Sequence, residues 1–207
     1  MRVLAAAEAP PAGSAGLVMG YTPGRDAGER ELFLGEARAV AAELGCGALL
    51  DDDASTAALR ARAASADVIH LSCHGIFDRE DPLASGVRLA DGDVTAREWM
   101  RLRTRADLVT LSACESGFSE VGRGDELTGL AHALLYAGAS SALLTLWSVS
   151  ALTTRAWMTD FYGRLRGAGG RQRVPIALAF QQATCALLDR NSDPYYWAPY
   201  VLTGDWR

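Results

Sequence analysis

The run Leu108-Val109-Thr110-Leu111-Ser112-Ala113-Cys114-Glu115-Ser116-Gly117 is apolar up to a cysteine and then turns abruptly polar and glycine-rich. It reads as a buried strand that delivers a thiol to a loop. Earlier in the chain, Asp67-Val68-Ile69-His70-Leu71-Ser72-Cys73-His74-Gly75 has the same character and ends on a histidine and a glycine. Unbroken apolar strands that alternate with helical patterns specify a mainly parallel sheet covered by helices on both faces. The carboxyl ends of such strands open on one edge, which is where ligand sites sit. Adjacent strands lie about 4.8 Å apart, so His74 and Cys114 are expected to meet at that edge.

The two residue types suit one chemistry. A cysteine thiolate is accessible near neutral pH, and a neighbouring imidazole can take the thiol proton and later return it to a leaving amine. Gly75 has no side chain to keep its backbone N–H from a substrate carbonyl. With the N–H of Cys114 it would make an oxyanion hole. The remaining cysteines read differently, because free cysteine is among the most buried residue types. Cys73 lies inside its strand, Cys46 opens a strand-like Cys46–Leu50, and Cys185 lies in a helical Ile176–Leu188, so all three are expected in the core. His70, in mid-strand, reads as a satisfied core histidine, and His74 stands past the apolar run.

With 207 residues and 49% hydrophobic side chains, the chain can bury one sizeable core. A net charge of −5 argues against a nucleic-acid binder. The densest basic group, Arg97, Arg101, Arg103 and Arg105, reads as a solvated face. Met1–Ser14 is rich in Ala and Pro and lacks the apolar region of a signal peptide, so a flexible segment 1–14 is expected before a domain at 15–207. No apolar run approaches the roughly twenty residues of a membrane span. The cysteines show no metal-type pairing, and a cytoplasmic location would keep them reduced. Glu120 stands six positions after Cys114, where a phosphatase-style cradle would need an arginine. Neither cofactor nor metal is expected, and the acids Asp51-Asp52-Asp53 read as the start of a helix beside Ser55 rather than as a metal site.

The other elements follow from period and punctuation. Gly16–Tyr21 reads as the first strand and Thr22-Pro23-Gly24 as its turn. A helix from about Glu29 to Leu44 stops at Gly45. A hairpin is expected at Gly86–Val94, around Asp91-Gly92. Thr95-Ala96-Arg97-Glu98 is a capping-box pattern that opens a helix to about Leu102. Asp125 and Glu126 start a helix whose Leu127, Leu130, Ala131, Leu134 and Leu135 make a buried stripe, with His132 off it. Ser141–Trp147 reads as a strand, and Leu152–Leu165 as a helix burying Trp157, Phe161 and Leu165. Pro175 opens the helix Ile176–Leu188, and Tyr195–Gly204 is a last strand. Phe77 and Pro82 fit either a wall of the site or simple loop packing.

A set of motifs, in order along the chain, resembles a known family. They are His70-Leu71-Ser72-Cys73-His74-Gly75, Pro82-Leu83-Ala84-Ser85-Gly86-Val87-Arg88-Leu89, the stretch Leu111–Gly117, Gly124-Asp125-Glu126-Leu127-Thr128-Gly129-Leu130, Ala137-Gly138-Ala139, Leu146-Trp147-Ser148-Val149 and Trp197-Ala198-Pro199-Tyr200. From about Gly16 to Trp206 they resemble the CHAT domain, a bacterial, caspase-like, separase-related cysteine peptidase family of clan CD. The resemblance implies a caspase-like α/β fold, a mainly parallel sheet of about six strands between two helical layers. It implies a His74–Cys114 dyad hydrolysing peptide bonds in a protein or peptide substrate, regulated by a partner or by associated domains such as tetratricopeptide repeats. By the same analogy Ser112, Trp147, Ser148 and Ser150 would contact substrate. One departure stands out: where family members carry acids after the Trp-x-Val, this chain has Ser150 and Ala151, so an acidic pocket is not specified. Two alternatives stay open, a catalytically silent scaffold module and a cysteine-dependent acyl transferase or esterase on the same dyad.

Overall fold

The computed structural model describes residues 15–206 apart from 25, 79, 115–124, 148–149 and 168–173; of Cys114 and residues 125–128 it describes the backbone alone. The first third of the chain runs β1 (Gly16–Gly20), α1 (Ala27–Leu44), β2 (Ala48–Leu50), α2 (Thr56–Arg62) and β3 (Val68–Ile76). A hairpin of β4 (Gly86–Leu89) and β5 (Gly92–Thr95) leads through a short α3 (Ala96–Trp99) into β6 (Leu108–Cys114). Then come α4 (Asp125–Ala137), β7 (Ser141–Thr145), α5 (Ala151–Arg166), α6 (Ile176–Leu188), α7 (Pro194–Trp197) and β8 (Tyr200–Gly204).

The strand order is β2-β1-β3-β6-β7-β8, and the β4–β5 hairpin hangs from the far end of β3. The first five strands are parallel and β8 is antiparallel to β7. This is the expected mainly parallel sheet. Alternation along the strands sorts side chains into two layers, as the period of two requires. Val18, Val68 and Leu108 pack with Val40, Trp157, Phe161 and Ala179 from α1, α5 and α6. Met19, Ile69, Leu71 and Leu111 face the other way, against Leu59, Trp99, Leu130 and Leu134 from α2, α3 and α4.

Local signals account for most boundaries. The Asp26 carboxylate accepts from the Glu29 N–H to start α1, and Gly45 ends it in the left-handed region at φ 69°. The Thr95–Glu98 capping box is complete, although α3 closes after one turn, short of Leu102. The three acids do not begin α2. They form their own 3-10 turn at Asp51–Asp53, and Ser55 caps α2 by accepting from Ala58 N–H. β7 ends at Thr145, and one step past its pair with Tyr200 the Leu146 N–H still donates to the Pro199 carbonyl at 2.7 Å. Tyr195 belongs to α7, capped by Asp193, and the last strand starts only at Tyr200.

The cysteines divide. Cys73 is fully buried, as expected, whereas Cys46 is half-buried and precedes β2 rather than opening it. Cys185, expected in the core, is exposed. The buried stripe of α6 is Ile176, Ala179 and Ala183, and two residues beyond Ala183 is about 200° around a helix.

Candidate active site

His74 stands near the end of β3, and the β3–β6 register runs without interruption from Val68 opposite Leu108 to His74 opposite Cys114. The two residues singled out in the sequence are therefore neighbours across one pair of parallel strands, at the carboxyl edge. The Cys114 side chain lies outside the described residues, as do Glu115, Ser116 and Gly117. The His74 side chain is described. Its ring packs on Phe33 of α1 with centroids 4.4 Å apart. Its Nε2 lies 3.0 Å from Thr22 Oγ1 and 3.4 Å from Glu29 Oε1. Burial pushes the imidazole below its ordinary pKa, the Glu29 carboxylate works against that, and the Arg88 guanidinium adds to it.

The loop after β1 and the start of α1 assemble this environment. Thr22 follows the strand and is nearly fully buried. Its hydroxyl lies 3.3 Å from Glu29 Oε1 and takes the Gly24 N–H at 3.2 Å. A cleft of about 470 Å³ opens beside His74, lined by Pro23, Gly24, Glu29, Gly75, Ile76 and Arg88. Arg88 reaches it from β4, its guanidinium held by both Asp93 carboxylate oxygens at 2.8 and 3.1 Å. Gly75 sits in register with Val87 of β4, and a methyl group on it would come within 2.5 Å of the Phe77 ring. Phe77 thus borders the site, while Pro82 packs near Gly129 of α4.

The remaining candidate residues are spread more widely. Ser112 is buried two positions before Cys114, opposite Ser72, so it lies beneath the edge rather than on its surface. Trp147 is half-buried beyond β7, and its indole N–H donates to the Tyr195 carbonyl at 2.9 Å. Ser148 lies outside the described residues. Ser150 occupies the N-cap position of α5 and is exposed, but its side chain makes no capping bond; its carbonyl accepts the Thr154 N–H. His70 is fully buried between Glu36 and Tyr162, a satisfied core histidine. His132 is exposed on α4.

Thr22, Glu29 and Arg88 are the site residues that sequence reasoning misses. One signal was available for the first. Thr22-Pro23-Gly24 follows a parallel strand, so its turn belongs to the same carboxyl edge as His74. Among the described residues no group of His, Cys, Asp and Glu could hold a metal ion, and no helix is long and apolar enough to cross a membrane.

A six-stranded, mainly parallel sheet between two helical layers, with a histidine and a cysteine paired at its carboxyl edge, is the architecture of caspase-like α/β proteins. The chain belongs to the CHAT domain family, whose model matches residues 2–205 and so begins ahead of Gly16, where the resemblance is expected to start. Membership places it in a caspase-like family of the cysteine-peptidase type. No curated protein matches the chain.

Proposed function

We propose that this protein is a cysteine endopeptidase in which Cys114 is the nucleophile and His74 the general acid and base. The observation that carries the reading is the register pairing of His74 with Cys114 at the end of adjacent parallel strands. His74 takes the thiol proton, and sulfur adds to the carbonyl carbon of the scissile bond. The N–H groups of Gly75 and Cys114 stabilise the oxyanion. As the C–N bond breaks, the imidazolium gives its proton to the leaving amine, leaving a thioester. Water then adds to the thioester, His74 takes the water's proton and returns it to sulfur, and the acid is released. Trp147, Ser148 and Ser150 are assigned to recognising the residue before the cut, with no acid among them to favour a basic side chain.

The test is mass-spectrometric cleavage profiling on a proteome-derived peptide library with the wild type, Cys114→Ala and His74→Ala. Cuts sharing one residue before the scissile bond and lost in both variants are expected. If cuts persist in Cys114→Ala, the assignment falls. If the wild type makes no cuts and Cys114 fails to react with an electrophilic probe, the protein is a scaffold. Turnover of small thioesters but not peptides would instead make it an acyl transferase or esterase.

A further inference from the structure

We propose that Thr22 and Glu29 form a relay that holds His74 in a single tautomer, with the proton on Nε2 and the lone pair on Nδ1. Nδ1 is then the nitrogen that serves Cys114. The peptidase reading underlies only that last assignment, because the tautomer is a property of the folded chain.

Protons and lone pairs at Thr22 decide the tautomer. A hydroxyl has one proton and two acceptor lone pairs, and a carboxylate can only accept. Thr22 Oγ1 has three polar neighbours: the Gly24 N–H at 3.2 Å, Glu29 Oε1 at 3.3 Å and His74 Nε2 at 3.0 Å. The Gly24 N–H occupies one lone pair, and the Glu29 carboxylate receives the hydroxyl proton. Only the second lone pair is left for His74, so Nε2 must carry the hydrogen that meets it. The other tautomer would set the Nε2 lone pair against a hydroxyl lone pair and, at 3.4 Å, against a carboxylate oxygen. Both contacts would be repulsive.

Packing keeps the relay in place. Thr22 is 2% exposed, so water does not replace it, and the Phe33 ring covers the imidazole. A side chain at Gly24 would collide with the Glu29 carboxylate, so the turn is shaped to accept that group. When His74 gains its second proton on Nδ1, Nε2–H still points at Thr22 and Glu29, and the carboxylate stabilises the imidazolium. Among the described side chains, Glu29 from α1 and Arg88 from β4 are the charged groups that act on the ring, and the Cys114 backbone stands in register with His74 on β6. Thr22 and Glu29 act on Cys114 through the His74 ring, so both are positioning residues.

The tautomer is read by long-range ¹H–¹⁵N NMR of the full chain with the His74 ring neutral, the signal being assigned through His74→Ala. The wild type is expected to show protonated Nε2. Thr22→Val, which keeps the shape and removes the hydroxyl, is expected to give a tautomer mixture, and Thr22→Ser to restore the single form. The rate of Cys114 alkylation in Thr22→Val should fall by about tenfold or more, a wrong tautomer being severe in the analogous serine triad. A wild type with Nδ1 protonated, or with an even mixture, would overturn the relay, and so would Thr22→Val with the wild-type tautomer. The wild-type tautomer is read whether or not Thr22→Val folds. Protonated Nε2 with no peptide cleavage would leave the relay standing and sink the peptidase, while dyad-dependent cleavage with the wrong tautomer would do the reverse.

Discussion

At His74, opposing influences set the charge of the ring. Burial is the larger and disfavours the imidazolium; the Glu29 carboxylate favours it, and the Arg88 guanidinium opposes it again. The His74 titration, followed by NMR, should lie below the value of about 6.5 for an exposed imidazole. Arg88→Gln should raise it and Glu29→Gln should lower it; a wild-type value above the exposed one would contradict this balance. Because the folded ring binds protons less readily than the unfolded one, the unfolded chain holds more protons as pH drops. The resulting stability is fully present above the unfolded value and is lost as pH falls through the folded one. Urea titrations at about pH 7.5 and about pH 5 should therefore differ less in His74→Ala than in the wild type. His74 and Cys114 were legible because residue type and strand-end position coincide in each. Thr22 was less so: its turn after β1 put it at the same edge, but its meeting with His74 spans 52 residues of chain and shows in no local pattern of residue types. Cys185 misleads for the opposite reason, since residue type points inward while the helical phase points out.

The element that matters most to the site is the first turn of α1, since it carries Glu29. Its geometry rests on Asp26, whose carboxylate takes the Glu29 N–H at 2.9 Å while the Glu29 side chain goes to Thr22 and His74. Asp26→Ala should cost about 1 kcal/mol of stability, the usual worth of such a cap. Backbone hydrogen exchange at Glu29 should speed up while that of Val40, deep in the same helix, stays slow; equal acceleration at both would mean the cap does not act locally. A second element-level constraint lies at Gly138, between α4 and β7. Its φ is 111°, and a side chain there would strike the Thr104 carbonyl. Gly138→Ala should destabilise by about 1–3 kcal/mol in chemical denaturation, and an unchanged midpoint would remove the constraint. Elements with strong punctuation were legible, as α1 with Gly45 and α3 with its capping box show. The chain after Leu188 was less so, because an apolar, aromatic run such as Tyr195–Trp197 fits a strand by composition. It becomes a helical turn through Asp193 and Pro194.

Across the whole molecule, one buried polar chain ties four elements together. Glu36 of α1 meets His70 Nε2 of β3 at 3.1 Å, His70 Nδ1 meets the Tyr162 hydroxyl of α5 at 3.3 Å, and Tyr162 meets Thr110 Oγ1 of β6 at 2.7 Å. All four side chains are buried, and burial holds the Tyr162 phenol well above its usual pKa, so it remains a neutral donor. The pattern of apolar strands shows that a histidine is enclosed, but not which side chains satisfy it, since Tyr162 lies 92 residues away. Removing one end of such a hydrogen-bonded pair strands the other in a medium that cannot solvate it, at a cost of about 1–3 kcal/mol, whereas replacing both with apolar groups of the same shape can be neutral or better. Glu36→Leu should therefore lower global stability by that amount in urea, and Glu36→Leu with His70→Leu should recover most of it. Strictly additive losses would mean that the two groups act independently. His70 and His74 are four residues apart on one strand, about 13 Å, and no described contact links the chain to Thr22 or Glu29. The folded double variant should thus keep the wild-type rate of Cys114 alkylation. A loss of reactivity with full stability would show that the interior chain, and not the edge relay alone, holds the imidazole in place.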